Sequence, residues 1–171
     1  PLIKDRELRG KIVVGSPDQH GPDQVRARDG HLIGEIGLKL GNYANSTSSA
    51  VKWDTEVVRE KSFDQNMLLL GGILTNTVVR KFNEEFPASF EGETFPYRKI
   101  KTPKEKYSDP EIGLIAKTEN PENPEKSLFL VAGIRNKGTR AAVVAFKQLE
   151  EIIDTDTEYI VLEGRDMDGD G

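Results

Sequence analysis

The sequence predicts an α/β fold: a largely parallel sheet of about five strands flanked by helices, with Rossmann-like or flavodoxin-like layering. Three observations carry this expectation. Residues 11–40 (KIVVGSPDQHGPDQVRARDGHLIGEIGLKL), 66–86 (NMLLLGGILTNTVVRKFNEEF) and 127–153 (SLFLVAGIRNKGTRAAVVAFKQLEEII) repeat one pattern of apolar run, glycine-bearing turn and amphipathic stretch. Strand, turn and helix in that order form the unit of a sheet with helical cover. In the last of these segments Ala141, Ala142, Ala145, Phe146, Leu149, Ile152 and Ile153 recur at helical spacing. At 171 residues the chain is also long enough for one substantial core, so residues 1–165 are read as a single domain.

Element by element, residues 2–9 are charged and form a lead-in, and 11–15 make the first strand. Pro22 suits a first helical turn, where a missing N–H costs nothing, and Asp23 suits the positive helix end. Val25, Leu32, Ile33, Ile36 and Leu40 continue the helical stripe, and Gly30, Gly34 and Gly37 mark either close packing or a shorter helix. Residues 42–49 read as a loop and 51–59 as an edge strand. Met67 to Leu70 form the next strand, followed by a helix capped at Thr75 or Asn76 that faces Val78, Val79 and Phe82 inward. Residues 87–111 show no clear period and have room for a short hairpin. Residues 112–117 and 127–131 are two strands joined by an Asn- and Pro-rich turn (TENPENPEK). The third helix has Thr139 at its cap position, and Tyr159 to Leu162 make a last strand before an acidic run.

Composition sets bounds on function. A net charge of -5 argues against a nucleic-acid contact surface. No apolar run is long enough to cross a bilayer, and none resembles a signal peptide. The chain opens on Pro1 and not Met, so it reads as a fragment that a targeting or membrane segment once preceded or did not. The absence of cysteine excludes disulfides, thiolate metal sites and a cysteine nucleophile. Two methionines, no cysteine and abundant Lys, Arg and Glu match the composition of heat-adapted proteins.

Four segments carry chemistry worth testing. The closing Asp166-Met167-Asp168-Gly169-Asp170-Gly171 matches the first half of a calcium loop, whose carboxylates at alternate positions converge on one ion. The bidentate glutamate that completes such a loop lies beyond Gly171, so residues 166–171 are a solvated acidic tail as they stand and a calcium site if the chain continues. Gly71 and Gly72, followed by Thr75 and Asn76, let backbone approach an anion at a helix start, or simply turn and cap that helix. Arg135, Lys137 and Arg140 around Thr139 form a basic turn that either holds a phosphate or carboxylate or is an ordinary surface loop. The stretch 16–31 holds both His20 and His31 with Asp18, Asp23, Asp29 and Arg26, a metal or acid–base set by residue type but without standard zinc spacing. No hydrolase elbow and no zinc-protease motif occurs. Asn45-Ser46-Thr47 is a glycosylation acceptor triplet.

Two of these segments carry a family likeness. MLLLGGILTNTVVRKFNEEFP and LFLVAGIRNKGTRAAVVAFKQL together resemble the archaeal S-layer protein family, in which a run like VGGP-x-x-N before a helix precedes a run like VVAG-x(4)-GTRAA. The first segment and the closing YIVLEGRDMDGDG resemble that family more distantly, and Ile73 stands where the family has proline. The resemblance implies a non-catalytic structural or assembly module of the cell envelope, extracellular, which associates with itself or with other envelope proteins. Calcium at Asp166, Asp168 and Asp170 would firm its C-terminal end. Related α/β domains serve as sensors, which sets a second expectation: a cytoplasmic or envelope domain binding a small anion at the strand C-terminal edge. Gly72, Asn76, Thr139 and Arg140 would contact the ligand, with His20 and Arg26 closing over it.

Overall fold

The computed structural model of the protein describes residues 2–45, 48–92, 99–148 and 157–164. The chain opens with a hairpin of β1 (Ile3–Lys4) and β2 (Glu7–Leu8), turned by Asp5 and Arg6 at φ 54° and 60°. Two successive left-handed residues give the tight turn whose twist suits paired strands. Leu2 beside it is fully buried, so the charged lead-in is anchored in the core. β3 (Gly10–Val14) follows as expected, but the helix after it, α1 (Ile33–Gly41), begins far later than Pro22, behind a 3-10 turn at Asp29–Leu32. Gly21 and Gln24, at φ 68° and 50°, break the right-handed path where the helix was expected. A Cβ at Gly30, Gly34 or Gly37 would meet nothing within 4 Å, so these glycines do not serve close packing, and Gly34 and Gly37 lie within α1.

β4 (Val51–Trp53) gives way at once to α2 (Asp54–Glu60), whose Glu56 carboxylate accepts the Trp53 N–H at 2.9 Å. The expected edge strand through Arg59 is therefore a strand for three residues and a helix afterwards. β5 (Asn66–Leu70) leads to α3 (Thr77–Phe82), capped by Asn76, whose Oδ1 accepts from Val78 N and Val79 N at 3.0 and 3.2 Å. The region without clear period contains a small antiparallel sheet of β6 (Ser89–Glu91), β7 (Lys99–Lys101) and β8 (Lys106–Tyr107). The rest is β9 (Ile112–Asn120), β10 (Asn123–Gly133), α4 (Asn136–Gln148) and β11 (Tyr159–Glu163). Thr139 lies inside the first turn of α4 and not at its cap. Leu149, Ile152 and Ile153 lie outside the described residues.

These strands do not form the expected largely parallel, five-stranded, Rossmann-like layering. The main sheet is mixed and has six strands, in the order β11-β9-β10-β5-β3-β4, beside the two small antiparallel sheets. Its β4, β3, β5 and β10 pair in parallel, whereas β9 runs against both β10 and β11. The reason is the length of the connection. Only residues 121–122 separate β9 from β10, and so short a link returns the chain antiparallel, because a parallel pair needs a crossover of about a dozen residues. Much of the Asn- and Pro-rich stretch read as a turn is itself strand, with a bulge between the Asn120–Asn123 and Glu119–Ser127 pairs. Its asparagine anchors it: Asn120 Nδ2 donates to the carbonyls of Phe63 and Gln65 at 2.7 and 2.8 Å.

Strand alternation builds two cores on one sheet. Val13, Met67, Leu69, Leu114, Leu128 and Leu130 point to one face, where they pack with Val57 of α2, Val78, Val79 and Phe82 of α3, and Phe90 and Ile100 of the small sheet. Ile12, Val14, Leu68, Leu70, Ile115, Phe129 and Val131 point to the other face, against Ile36 and Leu40 of α1 and Ala142, Val143 and Phe146 of α4. A sheet apolar on both faces is what near-continuous runs such as MLLL and LFLVA encode.

Candidate functional site

The parallel part of the sheet fixes where a site forms. From β3 the chain proceeds outward to β4, whereas from β5 it proceeds toward β10, so the strand order reverses between β3 and β5. Connections leaving two such neighbours diverge at their C-terminal ends and open a crevice. Here that crevice is a cleft of about 640 Å³, lined by the β3–α1 loop (Gln19, Gln24, Val25, Arg26, Arg28, Asp29), the β5–α3 turn (Gly72, Ile73, Leu74, Thr75), the β10–α4 turn (Gly133, Ile134, Arg135, Asn136, Thr139) and Phe90. Its size falls in the range of small-molecule sites.

Glycine makes the turns possible. Gly71 sits at φ 97°, a conformation L side chains avoid, and its N–H donates to Val131 O at 3.0 Å to close the end of β5 onto β10. At the start of α4 the backbones of Gly113, Gly133 and Gly138 pack directly on one another. A Cβ on Gly133 would stand 2.2 Å from the Gly138 carbonyl carbon, and one on Gly138 would stand 2.1 Å from Ile112 O.

Three arginines and one acid give the cleft its electrostatics. Arg26 and Arg28 are exposed at its rim and Arg135 is half-buried. Asp29 is the single carboxylate in the wall, and burial raises its pKa above the ordinary 3.8, with the His31 charge opposing. Gly72, Thr139 and Arg26, three of the residues expected to contact a ligand, do line this one cleft. The remaining three do not. Asn76 is fully buried and used up: besides capping α3, its Nδ2 donates to Val13 O at 3.2 Å and to Leu70 O at 3.0 Å. Arg140 is exposed and outside the lining, one residue past Thr139 on α4.

His20 belongs to a neighbouring buried knot at the same sheet edge. Asp54, fully buried at the end of β4, accepts from Ser16 N at 2.8 Å through Oδ1 and from Thr77 N and Thr77 Oγ1, each at 2.7 Å, through Oδ2. His20 Nε2 stands 3.0 Å from the same Oδ2 but makes no aligned hydrogen bond to it. Its Nδ1 lies 2.7 Å from the Asp18 carbonyl, which only accepts, so the Nδ1 carries the proton. Asp54 thus ties together the chain after β3, β4 and β5. The set does not form a catalytic relay, in which the imidazole stands between hydroxyl and carboxylate. Here the carboxylate stands between Thr77 and His20. His31 is elsewhere, exposed, with Nδ1 3.1 Å from Arg28 O, so the two histidines do not share a site.

Sequence reading missed Asp54, Arg28 and Phe90. None carries a motif, and each is brought to this edge only by the sheet order. Among the described residues no group of three or more His, Asp and Glu is placed to hold a metal ion. Asp166, Asp168 and Asp170 lie outside the described residues. No helix among the described residues is long and apolar enough to cross a membrane. Compared with protein-family models and with curated proteins, the chain has no match.

Proposed function

We propose that this protein is a non-catalytic binding module whose strand-end cleft holds a small anionic ligand, built on an S-layer-like α/β domain. The observation that carries the reading is a local reversal of charge. In a chain of net charge -5, the cleft collects Arg26, Arg28 and Arg135 around the single acid Asp29. Arginine presents a planar fork of donors suited to phosphate or carboxylate, and the first turn of the thirteen-residue α4 adds the positive end of its dipole. The test is a thermal titration with pyrophosphate at low salt. The melting temperature of the parent rises saturably, by an amount set by the ratio of ligand to Kd. Arg26→Gln/Arg28→Gln loses the rise, whereas Arg140→Ala, outside the lining, keeps it. A parent without any saturable rise refutes the reading.

A second reading, assembly in the cell envelope, is favoured by a sheet edge that no further strand pairs among the described residues. β4 is the terminal strand, and its Val51 and Trp53, on one side of the strand, are 39% and 40% exposed. The occupant that suits such an edge is a second copy of the chain, and calcium at Asp166, Asp168 and Asp170 belongs to this reading. Sedimentation equilibrium tests it. Association that grows with concentration and is lost in Trp53→Lys supports assembly, and a monomer at every concentration refutes it for this chain.

A further inference from the structure

Two acids stand at the same sheet edge, Asp54 fully buried and Asp29 half-buried in the wall of the cleft. Asp54 receives three hydrogen bonds from the protein and faces His20 as well. Asp29 receives none among the described residues. Its Oδ2 is 3.6 Å from where a Cβ on Gly71 would stand, at the mouth of the β5–α3 turn, and its surroundings shield it from water in part. A carboxylate that lines the cleft and is held by no protein donor among the described residues can accept from a ligand there in place of water. Across the cleft Ile73, Ile134 and Phe90 supply apolar walls, with Gly72 close to the Phe90 ring and bearing no side chain to fill the gap.

Resting on the anion-site reading above, we infer that the ligand is a guanine nucleotide, its base donating to Asp29 and its phosphate held by the arginines at the mouth. The match is one of chemistry. A carboxylate offers two acceptor oxygens side by side, and the guanine edge offers two N–H donors side by side, N1–H and the exocyclic amine. The flat base suits the apolar walls, and the phosphate suits Arg26, Arg28 and Arg135.

Isothermal titration of the parent chain and of Asp29→Asn separates this proposal from the reading beneath it. The probes are GMP and ribose 5-phosphate, which keeps the phosphate and lacks the base. The parent binds GMP at least about tenfold more tightly than ribose 5-phosphate, the scale of a charge-assisted pair of hydrogen bonds. Asp29→Asn keeps the shape and removes two-oxygen acceptance. It loses that margin for GMP and retains the parent's affinity for ribose 5-phosphate, which also shows that the variant is folded. Equal affinities for both probes in the parent, or an unchanged GMP affinity in Asp29→Asn, overturn the guanine assignment and leave the anion site standing. Binding of neither probe overturns both.

Discussion

At the scale of single residues, Asp29 carries the clearest consequence outside ligand binding. Its pKa is raised chiefly by burial, so the native state keeps this proton to higher pH than the unfolded chain does. Above the ordinary value of 3.8 the folded protein then binds more protons than the unfolded one, and stability falls as pH rises through that window. Asparagine carries no charge to desolvate. Asp29→Asn is therefore more stable than the parent at neutral pH, and the difference closes once the pH drops below 3.8, where Asp29 is protonated in both states. Paired melting curves from acid to neutral pH check this, and equal melting temperatures throughout would show that Asp29 is fully hydrated. Asn76 illustrates what a sequence does and does not disclose at this scale. Its role as a cap is readable from a polar residue just before an apolar helical stripe. Its two bonds to the ends of β3 and β5 are not, because Val13 is 63 positions away and only the pairing of strands brings it near. Those bonds remove Asn76 from the set of ligand contacts.

At the scale of elements, the apolar runs placed β3, β5, β9, β10 and β11 because each is long enough, or alternates clearly enough, to be read locally. The direction of β9 follows from its two-residue connection, and no residue type signals it as strongly as that length does. The late start of α1 was harder to read, since Val25 continues the helical stripe while Gln24 takes a left-handed conformation that glutamine seldom adopts. The basic turn before α4 drew attention for its charge, but its glycines hold it in place. Gly113, Gly133 and Gly138 let the first turn of α4 rest on the ends of β9 and β10 with backbone against backbone. A methyl group at Gly133 would stand 2.2 Å from Thr139 N, and no side chain there can swing aside. Gly133→Ala consequently loses about 1–3 kcal/mol, the cost of overpacking a filled site. Urea unfolding measures the loss, and a variant as stable as the parent would mean that α4 is free to slide.

At the scale of the whole molecule, a single sheet serves both cores, and this determines how the protein unfolds. Leu68 and Leu69 are adjacent in β5, both fully buried, yet they belong to opposite cores, Leu68 facing α1 and α4 and Leu69 facing α2 and α3. β5 lies between β10 and β3 in the middle of the parallel pairs, so neither face can be lost while the other keeps its backing. Leu68→Ala and Leu69→Ala should each cost about 2–5 kcal/mol, through lost apolar burial and the cavity left behind. Because the two faces share the sheet, both variants shift the denaturation midpoint without changing the slope m, which follows the surface exposed on unfolding. Trp53 is the single tryptophan of the chain and stands at the β4 edge, far in sequence from α4. Its fluorescence should therefore change at the same urea concentration as the far-UV signal of the helices. If fluorescence moved first in Leu69→Ala and the helical signal lagged, the face bearing α2 and α3 would be a separate unit. The cleft, built from loops leaving β3, β5 and β10, would then be held by two independently unfolding halves. A coincident transition makes it a rigid feature of one cooperative unit, which a preformed ligand site requires.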